Sequence, residues 1–159
     1  MGGILEEWQY SYGAYYGAVT NCTMPAGPIG VGIAGYVTLM QNDYPSLLNA
    51  IALTGPVAVS VDASSWHAYE GGVFSGCDQA SPDINHAVVA VGYGVESDGQ
   101  AYWLVRNSWS PAWGERGYIK LARQVSSAEW CIYKCLDVAL RRGYYIYTYL
   151  PQFRGFCRL

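Results

Sequence analysis

Between Pro45 and Leu53 the apolar residues Leu47, Leu48, Ile51 and Ala52 recur at the spacing of one helical face, with Ser46 placed as a cap and Gly55-Pro56 as a stop. The pattern predicts a helix over 45–53. Val57 to Val61 alternates large and small side chains at period two directly after the Gly-Pro break, which predicts a half-buried strand. His86 to Gly92 (HAVVAVG) is continuous and valine-rich, and Gln100 to Arg106 (QAYWLVR) is rich in aromatics. With Ser97-Asp98-Gly99 between them, the two runs predict a hairpin. Gly117 to Ala122 (GYIKLA) predicts a further strand beyond the loop from Ser108 to Arg116. Upstream, Ile4 to Tyr10 reads as a short helical piece, and the remainder up to residue 44 is an irregular stretch dense in Gly, Tyr and Pro. Closely spaced strands behind a single helix predict an α+β fold, an antiparallel sheet or barrel with a flanking helix.

The 159 residues suit one domain of ordinary size. Apolar residues make up 52% and charged residues 13%, a balance that excludes a disordered chain. The net charge of −3 gives no basic excess for nucleic acid or anionic lipid, so neither is an expected partner. No apolar run approaches the roughly 20 residues that cross a bilayer, and the residues after Met1 do not read as a signal peptide. Five cysteines (Cys22, Cys77, Cys131, Cys135 and Cys157) are spaced too irregularly for zinc knuckles, and two histidines add few ligands. No metal and no cofactor is expected. The odd cysteine number leaves at least one thiol free or paired outside this chain. Asn21-Cys22-Thr23 matches the glycosylation pattern, a match that short sequences produce often by chance. Fifteen Tyr and six Trp favour sheet faces and cleft walls, where the polar tip of each ring stays wet.

Chemistry concentrates at the ends of the predicted hairpin. His86 opens its first strand and Asn107 ends its second, 21 residues on, a separation that two strands of about seven residues and a turn would close. An amide oxygen beside an imidazole can accept its Nδ1–H, fix the ring and leave Nε2 to exchange a proton with a nucleophile. Trp109 and Trp113 follow at once, and an indole laid over such a pair would exclude water. His67, beside Trp66 on a predicted surface turn, reads as a structural histidine, and Gly71-Gly72 as a turn.

These residues resemble the papain-like cysteine peptidases, the group that contains the cathepsins. The segment around that family's catalytic His reads like Asn85-His86-Ala87-Val88-Val89-Ala90-Val91-Gly92-Tyr93-Gly94. The segment around its catalytic Asn reads like Tyr102-Trp103-Leu104-Val105-Arg106-Asn107-Ser108-Trp109, continuing through Trp113-Gly114-Glu115-Arg116-Gly117-Tyr118. Runs at 55–63 and 69–74 also match, so the likeness covers residues 45 to 131. It implies a cysteine endopeptidase in which a thiolate attacks the scissile carbonyl, His86 serves as the imidazole and Asn107 orients it. By the same match Trp109 shields the pair, Trp113 walls the leaving-group side, and Asn85 offers its backbone carbonyl to substrate. Ser60 and Ala87 line the pocket for the second residue on the acyl side, their small side chains leaving room for a bulky apolar one.

The family's nucleophile lies in a Cys-Gly-Ser-Cys-Trp type segment preceded by a Gln donor for the oxyanion hole, and neither occurs in this sequence. Met1-Gly2-Gly3-Ile4-Leu5 matches a later Asn-Gly-Gly segment, where Gly2 and Gly3 approach the substrate backbone. The resemblance therefore implies the C-terminal part of a papain-like fold over 1–131. Residues 1–44 form an irregular cleft-side segment and 45–131 the β-rich right-hand domain, while the left-hand helical domain is largely absent. Residues 132–159 are a divergent tyrosine-rich tail. Expected partners are a peptide or protein substrate and the N-terminal half bearing the nucleophile, from the same precursor or a separate chain, without which this chain is inactive. The competing expectation is a non-catalytic homologue that serves as a binding or structural module. Cys77 and Cys131 match a family disulfide, Cys22 matches one whose partner lies in the missing half, and Cys135 and Cys157 could pair with each other. Family setting and cysteines together suggest a lysosomal, vacuolar or extracellular location. Ser110 stands where the family has Gly, which implies strain if that position needs a positive φ.

Overall fold

The structure, a computed structural model, describes residues 3–4, 6–17, 31–32, 37–40, 43–78, 80–123, 139–141 and 144–146. The chain divides into two compact units. The first, Met1–Gly35 with Tyr149–Leu159, contains the antiparallel pair β1 (Gly3–Ile4) and β2 (Val31–Gly32). The helix expected over Ile4 to Tyr10 does not form. Ile4 lies in β1, and Glu7 to Gln9 make a turn closed by the Gln9 N–H on the Glu6 carbonyl at 2.9 Å. A segment this short cannot repay helix nucleation without burying an apolar face, and Trp8 stays 75% exposed.

The second unit, Tyr36–Thr148, opens with α1 (Tyr44–Leu53). The helix begins one turn ahead of the predicted cap: Asp43, not Ser46, is the N-cap, in extended conformation, and its carboxylate accepts from the Ser46 N–H and hydroxyl. Asp43 wins because Pro45 sits in the first turn, where a missing N–H costs nothing. After α1 come β3 (Val57–Val61), a short 3-10 turn (Trp66–Ala68), β4 (Val73–Phe74), β5 (His86–Val95), β6 (Ala101–Arg106) and β7 (Tyr118–Ala122). The expected hairpin is β5–β6, joined through Glu96 to Gln100 with Gly99 at φ 88°. A separate antiparallel pair, β8 (Ala139–Arg141) and β9 (Tyr144–Ile146), lies in the tail.

The main sheet has the order β3-β5-β6-β7-β4. It is mixed, not antiparallel throughout, because β4 pairs with β7 in parallel. The chain reverses direction through the 3-10 turn after β3, so β4 runs against β3. β7 also runs against β3, and the two meet in the same sense.

Strand parity decides what each face carries. Val57, Val59 and Val61 of β3 oppose Ala90, Val88 and His86 of β5, and the five apolar members of this set are buried. Trp103 and Val105 of β6 oppose Leu121 and Ile119 of β7, all at most 1% exposed. On this face α1 lays Leu47, Ala50 and Ile51, completing one core. A register break between Ala90 and Gly92 inserts an extra residue into β5, so that Tyr93, not Gly92, comes opposite Trp103. Arg123, just past β7, closes this end with its guanidinium over the rings of Tyr44, Tyr93 and Trp103 at 5.5–5.7 Å.

The loop from β6 to β7 turns tightly on four residues of positive φ, namely Ser110 (88°), Gly114 (55°), Arg116 (56°) and Gly117 (88°). Ser110 therefore carries the strain that its sequence context implied. A side chain at Gly114 would bring its Cβ to 2.7 Å from the Tyr118 carbonyl oxygen and 3.0 Å from the Tyr69 ring. Replacing Ser110 by Gly relieves a left-handed conformation costing about 1–2 kcal/mol, against about 0.5–1 kcal/mol of added chain entropy. Thermal unfolding of Ser110→Gly should show a higher midpoint than the parent chain, and Gly114→Ala a clearly lower one.

Candidate active site

His86 and Asn107 are the polar continuation of the buried face. His86 has the parity of Val88 and Ala90, Asn107 that of Trp103 and Val105, and both stand at the same end of the sheet. The Asn107 N–H donates to the Gly117 carbonyl at 2.9 Å, extending the β6–β7 ladder by one residue and fixing the amide's position. Asn107 is 8% exposed and His86 half-buried.

The contact between them is Nε2 of His86 to Oδ1 of Asn107 at 2.8 Å. This corrects the expected assignment, in which Nδ1 faced the amide. The same Oδ1 accepts the Ser108 backbone N–H at 2.7 Å. A backbone N–H can only donate, so the atom between the two is the oxygen and not the NH2 group of a flipped amide. Nε2 must then carry the hydrogen, and Nδ1 is the open ring nitrogen of the neutral imidazole. The Nδ2 group of Asn107 finds no acceptor among the described residues.

An aromatic cluster covers the pair. Trp109 tilts over His86 at 5.1 Å and meets Trp113 edge-on at 5.2 Å. Trp66, fully buried, stacks on Trp113 at 6.2 Å and presents an edge to His86. His67 stacks on Trp109 at 5.1 Å and 16°. The sequence pattern missed Trp66 and His67 as members of this cluster, because a 42-residue separation without strand pairing leaves no periodic signal. Their one legible feature was a Trp-His dipeptide just past a strand that pairs with the histidine strand.

The remaining predicted residues divide. Ser60 and Ala87 are opposite one another in the β3–β5 register, on the face away from His86, with Ser60 8% exposed. Asn85 is exposed and braces the approach to β5: its Oδ1 accepts the Ala63 N–H at 3.1 Å and its Nδ2 donates to Ser64 Oγ at 2.9 Å. Asp62 accepts backbone N–H groups from Ser64 and Asp83, both at 2.9 Å. Burial alone would raise its pKa, but these bonds together hold the carboxyl below its ordinary range. Gly3 lies in β1, in the other unit, and Gly2 lies outside the described residues. Cys77 is disulfide-bonded, while Cys22, Cys131, Cys135, Cys157 and Asn21 lie outside the described residues, as do residues 124–138.

The family description "Papain family cysteine protease" matches residues 1–136. The chain belongs to the papain family of cysteine proteases. Among curated relatives it is 42% identical to fruit bromelain of Ananas comosus over 79% of this chain and 34% of that protein. It is 44% identical to vignain of Phaseolus vulgaris over 80% of this chain and 34% of that protein. A solved digestive procathepsin L2 from Tenebrio molitor larval midgut superimposes with a TM-score of 0.70 at 39% identity, covering 87% of this chain and 42% of that one. The chain thus spans about a third of the length of the curated relatives it matches. The mixed sheet, with α1 as the one α-helix among the described residues, is consistent with the β-sheet domain of the papain fold.

In this papain-family chain the site loop is held from below by Glu115. Its Oε1 accepts the Gly72 N–H at 2.8 Å and lies 3.2 Å from the Tyr69 hydroxyl, and its Oε2 pairs with Lys120 Nζ at 3.0 Å. Lys120 also pairs with Glu96 at 2.6 Å, and Glu96 first and Glu115 second push its pKa up. Burial works to raise the Glu115 pKa, but the Lys120 and Gly72 hydrogen bonds outweigh it and leave the carboxyl below its ordinary value. A depressed carboxylate stabilises the fold above its unfolded pKa of about 4.5 and loses that contribution as pH falls through the folded value. Urea unfolding between about pH 6 and pH 3 should therefore show a smaller acid loss of stability in Glu115→Gln than in the parent, with the variant already less stable at pH 6. Equal acid slopes would dissociate Glu115 from the clamp.

Proposed function

We propose that this chain supplies the imidazole and its orienting amide to a papain-type cysteine endopeptidase. The observation that carries the reading is the Nε2–H of His86 on an Asn107 oxygen already fixed by the Ser108 N–H. With Nε2 engaged, Nδ1 is the atom that takes a proton from a thiol and, as imidazolium, stabilises the thiolate. The thiolate forms a bond to the scissile carbonyl carbon. Collapse of the tetrahedral adduct expels the leaving amine, which receives the Nδ1 proton, and water then releases the acyl group with Nδ1 as base. Trp109 keeps water from the His86–Asn107 bond, strengthening it.

The disulfide removes the Cys77 sulfur from consideration as nucleophile. In this reading the attacking cysteine and its Gln oxyanion donor come from an N-terminal half, and the chain alone is inactive. Ser60 and Ala87 form the wall of the acyl-side pocket, Asn85 offers its backbone carbonyl, Gly2 and Gly3 approach the substrate backbone, and Trp113 bounds the leaving-group side. Cys77 pairs with Cys131. A disulfide suits an oxidising compartment, so the enzyme works in a lysosome, a vacuole or outside the cell.

The transcript upstream of the Met1 codon should encode, in frame, a Gln followed by a Cys-Trp segment. The full gene product should then react with a peptidyl epoxide at that cysteine. His86→Ala should abolish labelling and lower kcat by about 10²–10⁴. Asn107→Ala should lower kcat less and distort the pH profile, because the ring loses its fixed tautomer. A stop codon ahead of Met1 with no such segment, together with a protein that takes no label, would replace this reading with a papain-fold binding module.

A further inference from the structure

Trp109 carries both histidines of the chain. Its ring lies 5.1 Å from that of His86 at 31° and 5.1 Å from that of His67 at 16°. The two imidazoles thus share one indole, His67 lying flat on it and His86 tilted against it. His67 is held there by its neighbour: Trp66 is fully buried and stacked on Trp113, which fixes the 3-10 turn. The His67 ring itself is exposed, and among the described residues its nitrogens have no hydrogen-bond partner and it makes no ion pair.

Two carboxylates of the neighbouring segments already have partners. Asp62 accepts from the Ser64 and Asp83 backbones, and Glu115 is held by Gly72 and Lys120. Glu70 follows on the same segment, exposed, without an ion pair to His67. From the loop packed against the ring, residues 108–113 contribute no charged group, and β5 contributes His86. A phenyl ring would serve a purely structural stack equally well, whereas this ring presents open nitrogens beside the proton-transfer pair. We propose that His67 is a specificity-determining residue of the site: its imidazole, held flat on Trp109, receives a carboxylate from the stretch of peptide lying along that indole. The inference rests on the peptidase reading for its substrate. A hydrogen bond to an ionised carboxylate is stronger than one to a neutral amide, so the ring N–H favours Glu over Gln at that substrate position.

The test compares two peptides differing only in Glu or Gln on the leaving-group side, hydrolysed by the full gene product. The Glu:Gln ratio of kcat/KM should be about twofold to fivefold. In His67→Gln the ratio should be near one, and in His67→Lys the preference should persist. A ratio unchanged in His67→Gln overturns the inference. The His67 ring resonances are followed in parallel as glutamyl and glutaminyl tripeptide amides are added. A selective response to the glutamyl peptide in a protein that hydrolyses nothing would remove the peptidase reading and leave the carboxylate site standing. Equal responses to both peptides would remove the site.

Discussion

The register of β5 between β3 and β6 is the constraint on which the site depends. Val61 opposite His86 and Val105 opposite Ala90 put the imidazole and the Asn107 amide on one face, at one end, where the apolar core runs out. A slip of one residue would turn His86 to the opposite face and expose Val88 and Ala90. The valines that drive burial thereby also aim the chemistry. The register break near Val91 confines its change of parity to the far half of β5, so Tyr93 reaches Trp103 and Arg123 without disturbing His86.

At the edge of that core the polar groups must be satisfied or used. One oxygen of Asn107 serves two donors, the Ser108 N–H and the His86 ring, and this double duty makes the tautomer a structural property instead of an equilibrium. The aromatic cluster then sets the surroundings. Trp66 is wholly inside, Trp109 and Trp113 are half-buried, and the gradient from dry to wet runs across three indoles. Beneath them, Glu115 ties the loop to Gly72 and Lys120, so the indoles rest on a loop anchored by charge as well as by packing. Strain at Ser110 is tolerated within this frame because both sides of the turn are pinned.

Membership of the papain family accounts for the motifs and the fold, and the chain spans about a third of the length of the curated relatives it matches. The geometry within this third is nevertheless self-sufficient for positioning the imidazole. Every described contact that orients His86, from Val61 to Asn107 to Trp109, comes from residues 57 to 117.

The sequence by itself determined the helix over 45–53 to within a residue, the strands at 57–61 and 117–122, the hairpin, and the adjacency of His86 and Asn107. Each is a local pattern, a period or a turn of known length, and local patterns survive without tertiary context. It misplaced the cap of α1, where Asp43 outcompeted Ser46, and it read a helix at Ile4 to Tyr10 that no buried face supports. Only the tertiary structure decided that β4 runs parallel to β7, that Nε2 and not Nδ1 faces the amide, and that Trp66 and His67 join the site. Those facts depend on contacts between segments distant in the chain, or on the rotation of one ring in the field of two donors, and neither leaves a trace in residue spacing.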